Sequence, residues 1–231
     1  MEPITDAVGR IGEQLFEGGC VESSLAQFKE LVAGQGIQEW MAGVEDTREL
    51  SQFDQEHPNS FNKYVLAVHS ATGSKLVLHS WHSGIPFSEA EIHNHRWNFV
   101  SAVLKGSIEA QTLQVQSNGD ISKLEFGYLS PDGGASFGLL PVGEAKLAVV
   151  ETTLLAADAV YFQHHGKIHR ARPVEASTVT LVLQGPVVNP ITRVFRDDRP
   201  GEETQIPVKR PSDKTMLEDL ARFKSLLLRG L

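Results

Sequence analysis

The sequence predicts an all-β sandwich or barrel with helices before and after it. Three observations predict this class. Between about residues 61 and 187, nine short apolar runs rich in β-branched residues follow one another. Turn signals separate them, among them Thr72-Gly73, Asn118-Gly119-Asp120 and Asp132-Gly133-Gly134. No helical periodicity intervenes, and strands that follow strands without helices between them close into a sandwich or a barrel.

The elements follow in chain order. Residues 1–60 read as an N-terminal extension, helical to about residue 50. In "SLAQFKELVAGQGIQEWM", Leu25, Phe28, Leu31 and Val32 share one stripe at helical spacing, with Ser23 or Ser24 as the expected cap and Gly34 as the expected end. Residues 61–187 carry the strand runs "YVLAVHS", "KLVLHSWH", "NFVSAVLKG", "SIEAQTLQV", "KLEFGYL", "AKLAVVETTLL", "AVYF", "IHRARPV" and "STVTLVLQG". Residues 188–231 read as a loop and a helix packed on the β domain. In "TMLEDLARFKSLLL", Thr215 and Glu218 make a capping box, and Leu217, Leu220, Phe223 and Leu227 make the apolar stripe. "SPDGGASFGLLPVGE" and "QGPVVNPITRVFRDDRPGEETQIPVKRPS" read as long loops.

Composition narrows the class of function. The 231 residues suit one large all-β domain. A formal net charge of -8 and the lack of a basic cluster argue against a nucleic-acid partner. No run of 18 apolar residues exists to span a membrane, and the acidic start lacks the apolar stretch of an export signal. Cys20, the only cysteine, has no internal partner for a disulfide, which fits a reducing cytoplasm. Self-association as a homodimer stays open.

The chemistry lies in the histidines. Of nine, most fall in two groups, "HSWHSGIPFSEAEIHNH" and "YFQHHGKIHRARP". His93 and His95 are spaced by two, and on an extended strand residues i and i+2 share a face, so both imidazoles can aim at one point. A third ligand must come from a distant strand; His169, just after the turn at Gly166, is placed to supply it. Imidazole suits iron, copper, nickel and zinc. On the neighbouring strands, alternation puts His79 with Trp81 on one face, and Thr180 with Val182 and Gln184 on one face. These residues and Phe99 are the candidate substrate pocket, with His79 as the candidate proton carrier. A purely structural His79, and a histidine pair that only makes hydrogen bonds, stay open beside these readings.

These residues resemble the cupin motifs G(X)5HXH(X)3-4E(X)6G and G(X)5PXG(X)2H(X)3N. His93 and His95 match the first HXH, and Gly106 the closing glycine; Phe99 stands where the glutamate would be. Gly166 and His169 match the second motif, while Ala157, His164 and Pro173 stand at its first glycine, proline and asparagine. The resemblance implies a cupin barrel, the double-stranded β-helix or jelly roll, over residues 61–187, with a metal on His93, His95 and His169. The missing acid narrows it further, because the chain is similar to three-histidine thiol dioxygenases of the cysteine dioxygenase type. Trp81 matches their pocket tryptophan and His169-Arg170 their second motif; Thr180, Val182 and Gln184 stand where their Ser-His-Tyr chain lies. This likeness implies a non-haem Fe(II) dioxygenase acting on a small chelating substrate, a thiol or small polar acid, together with O2. Nickel, manganese, copper and zinc stay open as the metal, though zinc cannot perform a redox step. So does a non-oxidative cupin: a metal-dependent lyase or isomerase, or a small-molecule binding module.

Overall fold

The computed structural model describes residues 3–16, 19–43, 53–82, 85–129, 136–198 and 205–228. The expected turn at Asp132-Gly133-Gly134 lies outside them. Three helices come first: α1 (Ile4–Gln14), α2 (Val21–Ala33) and α3 (Gln35–Gly43). Helix α1 buries Ile4, Ala7, Val8 and Ile11, a stripe at helical spacing, and Leu15 continues it. In α2, Phe28 and Val32 are buried, and Leu25 and Leu31 pack beside them. Its start differs from expectation. The helix begins at Val21, so Ser23 and Ser24 lie in its first turn, where the Ser24 hydroxyl bonds back to the Cys20 carbonyl at 3.0 Å. Gly34 ends the helix in an extended conformation.

Thirteen strands follow among the described residues: β1 (Gln55–His57), β2 (Phe61–Val68), β3 (Lys75–Trp81), β4 (Ile92–His93), β5 (Phe99–Lys105), β6 (Ser107–Val115), β7 (Ile121–Leu129), β8 (Ser136–Ala156), β9 (Val160–Gln163), β10 (His169–Pro173), β11 (Val179–Gln184), β12 (Thr192–Arg196) and β13 (Gln205–Pro207). One sheet runs β1-β2-β3-β11-β5-β9; the other runs β13-β8-β6-β10-β4-β12-β7. Every pairing is antiparallel, and most neighbours are distant in sequence. The inner order β3-β11-β5-β9 opposite β4-β10-β6-β8 is that of a jelly roll, the double-sheet arrangement of cupins. Strand pairing extends past 61–187 on both sides, through β1 before it and β12 and β13 after it.

Two segments expected as loops are partly strand. Ser136–Glu144 belongs to the 21-residue β8, and β12 and β13 lie within the stretch after Gln184. Strand β8 pairs with β7 along its first half and with β6 along its second, changing partner at Leu147. This closes the second sheet around a small core of Ile92, Leu113, Ala145, Leu147, Ile168 and Phe195. The closing glycine of the sequence motif, Gly106, turns between β5 and β6 at φ +75°, where a Cβ would also collide with Thr178.

Alternation sorts the first sheet into two faces. Tyr64, Leu76, Leu78, Val100, Leu181 and Leu183 point outward into the large core beneath the helices, while Phe61, Val65, Val77, Trp81, Phe99 and Val182 point into the barrel. Helix α4 (Asp213–Leu228) covers part of the outer face with Met216, Leu220, Phe223 and Leu227. Leu217, expected in the stripe, is 54% exposed, and Met216 takes its place. The cap is Ser212, whose hydroxyl accepts the Thr215 N–H at 3.2 Å, so the expected Thr215–Glu218 box sits one turn too late. Buried Asp219 docks the helix: its carboxylate accepts Tyr64 Oη at 2.7 Å, Ser80 Oγ at 2.8 Å and Asn62 Nδ2 at 3.1 Å, and pairs with Arg222. No described helix is long and apolar enough to cross a membrane.

Candidate metal centre

The barrel pairing itself assembles the three histidines. On the short β4, His93 pairs in register with His169 of β10. His95 follows in an extended segment held by its N–H to the His165 carbonyl at 2.9 Å. The three rings form a near-equilateral triangle, with centroids 4.8, 4.9 and 5.0 Å apart. One ligand nitrogen from each lies within 4.8 Å of the other two. His95 Nε2 and His169 Nε2 face each other at 2.7 Å. Two nitrogens on one ion lie roughly 3 Å apart at right angles and at most about 4.2 Å apart. The set is therefore nearly formed; ligation would spread the His95–His169 pair slightly and shorten any separation above about 4.2 Å.

The surroundings favour the state a metal needs. The Glu91 carbonyl holds His93 at Nδ1, 3.1 Å away, leaving Nε2 for the centre. Burial, then the neighbouring His93 and His169, hold His95 well below the ordinary histidine pKa; burial and His93 do the same for His169. Both rings are neutral and able to donate a lone pair. The nearby asparagines hold backbone and, through Asn98 Oδ1, the His165 ring at 3.0 Å, but none of the three triad imidazoles. Asn94 Oδ1 accepts the Arg193 N–H at 2.6 Å. Asn98 donates to the Leu15 carbonyl at 2.7 Å and accepts the His165 N–H at 2.8 Å, tying α1 and the His164-His165 turn to β5. His164 is exposed and accepts the Gly166 N–H.

The expected pocket residues gather in the same interior. The Phe99 ring meets His95 edge-on at 4.9 Å. Trp81 donates through Nε1 to Thr180 Oγ1 at 3.2 Å. His79 lies 4.4 Å from the Phe61 ring, and burial followed by the charge of Lys63 pushes its pKa down to about 3. The expected role as proton carrier relied on an ordinary value near neutrality; with its pKa lowered to about 3, His79 is a neutral imidazole at pH 7. Gln184 sits at the barrel end, in register with Phe99 and with Lys75.

The interior placement of two residues escapes the sequence reading. His57, read there as loop before Pro58, lies on β1, stacks on Phe61 at 4.3 Å and comes within 5.8 Å of the His93 ring. Burial, then His93, holds it well below the ordinary value. No pattern marks so short an edge strand. Lys63 faces inward opposite His79, its pKa lowered to about 8 by burial and then by Lys75 and Arg96. Its signal is legible in retrospect, since Phe61, Lys63 and Val65 alternate on one face.

No family model matches the chain, and no curated protein matches it. Among solved structures it is similar to KdgF from Halomonas sp., with 14% identity and a TM-score of 0.35, covering 58% of this chain and 86% of that one. An RmlC-like cupin from Shewanella frigidimarina follows at 13% and 0.34, covering 57% and 81%. Hydroxypropylphosphonic acid epoxidase from S. wedmorenis gives 12% and 0.37, covering 77% and 89%. At such scores the likenesses add nothing to the strand order and site geometry described above.

Proposed function

We propose that His93, His95 and His169 hold one divalent metal, iron(II) by preference, and that the chain is a cytoplasmic non-haem iron oxygenase acting on a small chelating substrate, a thiol or small polar acid, with O2. One observation carries this reading: three imidazoles from two distant segments converge on a point beside which Phe99, an apolar ring, stands in place of a carboxylate. An all-imidazole set is neutral, so a bound Fe(II) would keep its full charge for substrate and O2. The protein's own part is positioning. Phe61, Trp81 and Phe99 wall the interior against water, Thr180 fixes the Trp81 indole, and neutral His79 offers a hydrogen bond instead of a proton.

The test is metal analysis of purified protein, then oxygen-electrode assays against a panel of thiols and small acids. Iron at one equivalent with substrate-dependent O2 uptake is expected. Bound metal with no O2 consumed across the panel would move the protein to the non-oxidative cupins, and no metal bound at all would remove the proposal.

A further inference from the structure

The barrel interior holds one amine that the oxygenase reading does not use. On β2, Phe61, Lys63 and Val65 alternate inward, and Lys63 pairs in register with His79 of β3. This interior is walled without being filled. Tyr64, Leu76 and Leu78, on the outer face of the same sheet, are fully buried. Lys63, His79, His57, Trp97 and Tyr161 each keep part of their surface exposed, so space remains against the inward polar groups.

Lys63 is short of partners. Its Nζ lies over the Trp97 ring, 5.7 Å from the centroid, and among the described residues no hydrogen bond or ion pair reaches it. Asp54, the carboxylate whose charge acts on it, is engaged by the Val65 N–H at 3.0 Å. An enclosed ammonium with no acceptor loses its solvation with nothing to replace it. Burial, followed by Lys75 and Arg96, accordingly lowers the Lys63 pKa to about 8. At pH 7 about one such side chain in ten is the neutral amine, against about one in a few thousand for an ordinary lysine. Desolvation and neighbouring positive charge are the conditions that turn a lysine into a nucleophile.

The surroundings suit a carbonyl electrophile. Opposite the amine, His79 is a neutral imidazole at pH 7, able to accept a hydrogen bond from the nitrogen as it reacts. The Trp97 Nε1 is buried and makes no hydrogen bond among the described residues. An indole N–H only donates, so a ligand lying on this ring is favoured if it carries a free acceptor oxygen.

We infer that Lys63 is an amine nucleophile that captures a small carbonyl compound, an aldehyde or ketone with a second oxygen next to its C=O, as an imine. The Nζ lone pair forms the C–N bond, the π pair of the C=O moves to oxygen, and that oxygen takes the first proton nitrogen releases. The resulting carbinolamine loses its hydroxyl together with the second nitrogen proton as water, leaving C=N. Nothing is oxidised or reduced, and the step needs no metal.

The full-length protein is incubated at pH 7 with glycolaldehyde or, separately, with propanal, and imines are fixed with cyanoborohydride. Intact mass counts the adducts and peptide mapping locates them. An adduct forming at Lys63 about tenfold or more faster than at any other lysine is expected, and Lys63→Met is expected to lose it. Adducts spread evenly over the lysines of the parent, or a fast adduct retained in Lys63→Met, overturn the inference; the parent map decides even where the variant does not fold. Glycolaldehyde outpacing propanal at Lys63 supports the second oxygen, and equal rates overturn that part. Elemental analysis reads the iron proposal separately: no bound iron with Lys63 still labelled removes the iron reading alone, and bound iron with no fast adduct at Lys63 removes this one.

Discussion

At the scale of single residues, His169 decides the metal reading. Removing one imidazole from a set with no protein carboxylate to replace it is expected to abolish stoichiometric iron in His169→Ala, read by elemental analysis of folded protein. Retained iron would show that the triad is misassigned. Phe99 tests the same geometry from the other side. Its ring lies against His95, so Phe99→Glu should add a fourth ligand and tighten metal while suppressing substrate turnover; unchanged turnover would place residue 99 away from the metal. His79 is neutral at pH 7 because burial pushes its pKa to about 3. His79→Gln, which keeps a hydrogen-bonding side chain, is therefore expected to leave the shape of the pH–rate profile between pH 6 and 8 unchanged; loss of an ionisation there would restore His79 as a proton carrier. The triad was legible in the sequence because spacing by two and a turn before His169 survive translation into strands. The inward placement of Lys63 and His57 was not legible, because a lone lysine or a histidine before proline ordinarily lies at the surface, and only the barrel's closure reveals which face is enclosed.

At the scale of elements, the C-terminal helix gives the sharpest contrast. Its stripe was read one residue out at its first position, since leucine at 217 and methionine at 216 are equally apolar in a pattern. The buried Asp219 decides the phase, because its carboxylate must meet Tyr64, Ser80 and Asn62 on the first sheet. Leu227→Ala, at 1% exposure, is expected to cost about 2–5 kcal/mol, whereas Leu217→Ala, at 54% exposure, should stay within about 0.5 kcal/mol. Asp219→Ala strands three buried donors and should cost about 3 kcal/mol or more. Denaturant unfolding measures all three, and equal costs at 217 and 227 would refute this docking. Strands β12 and β13 were missed for a related reason: Pro190 and the charges around "RVFRDDRP" read as loop, and only pairing to β7, β4 and β8 makes them strand.

At the scale of the whole molecule, the buried neutral histidines set the response to acid. His57, His79, His95 and His169 all have pKa values lowered by burial. A base with a depressed folded pKa binds fewer protons folded than unfolded, so its stability is present above about pH 6.5 and is lost as pH falls below that value. Asp54 acts in the opposite sense, because its pKa is raised to about 6, so burying it favours the fold more as pH falls from 6 toward 4. Four bases outweigh one acid, and the melting temperature of metal-free protein should fall steadily from pH 7 to pH 5. A flat curve across that range would mean these rings are not enclosed as described. The all-β class was legible from runs and turns alone, while the sheet order was not, since it depends on which distant runs pair.

The register pairing of His93 with His169 has one further consequence, in time. An unfolded chain holds only the local His93–His95 pair, and its third nitrogen is 74 residues away. Strands so distant in sequence pair late, and folds dominated by such pairings form slowly. Metal therefore has no complete site to nucleate on, and loading follows closure of the barrel. Refolding rates should not change when iron is supplied at the start, while unfolding rates should fall once it is bound.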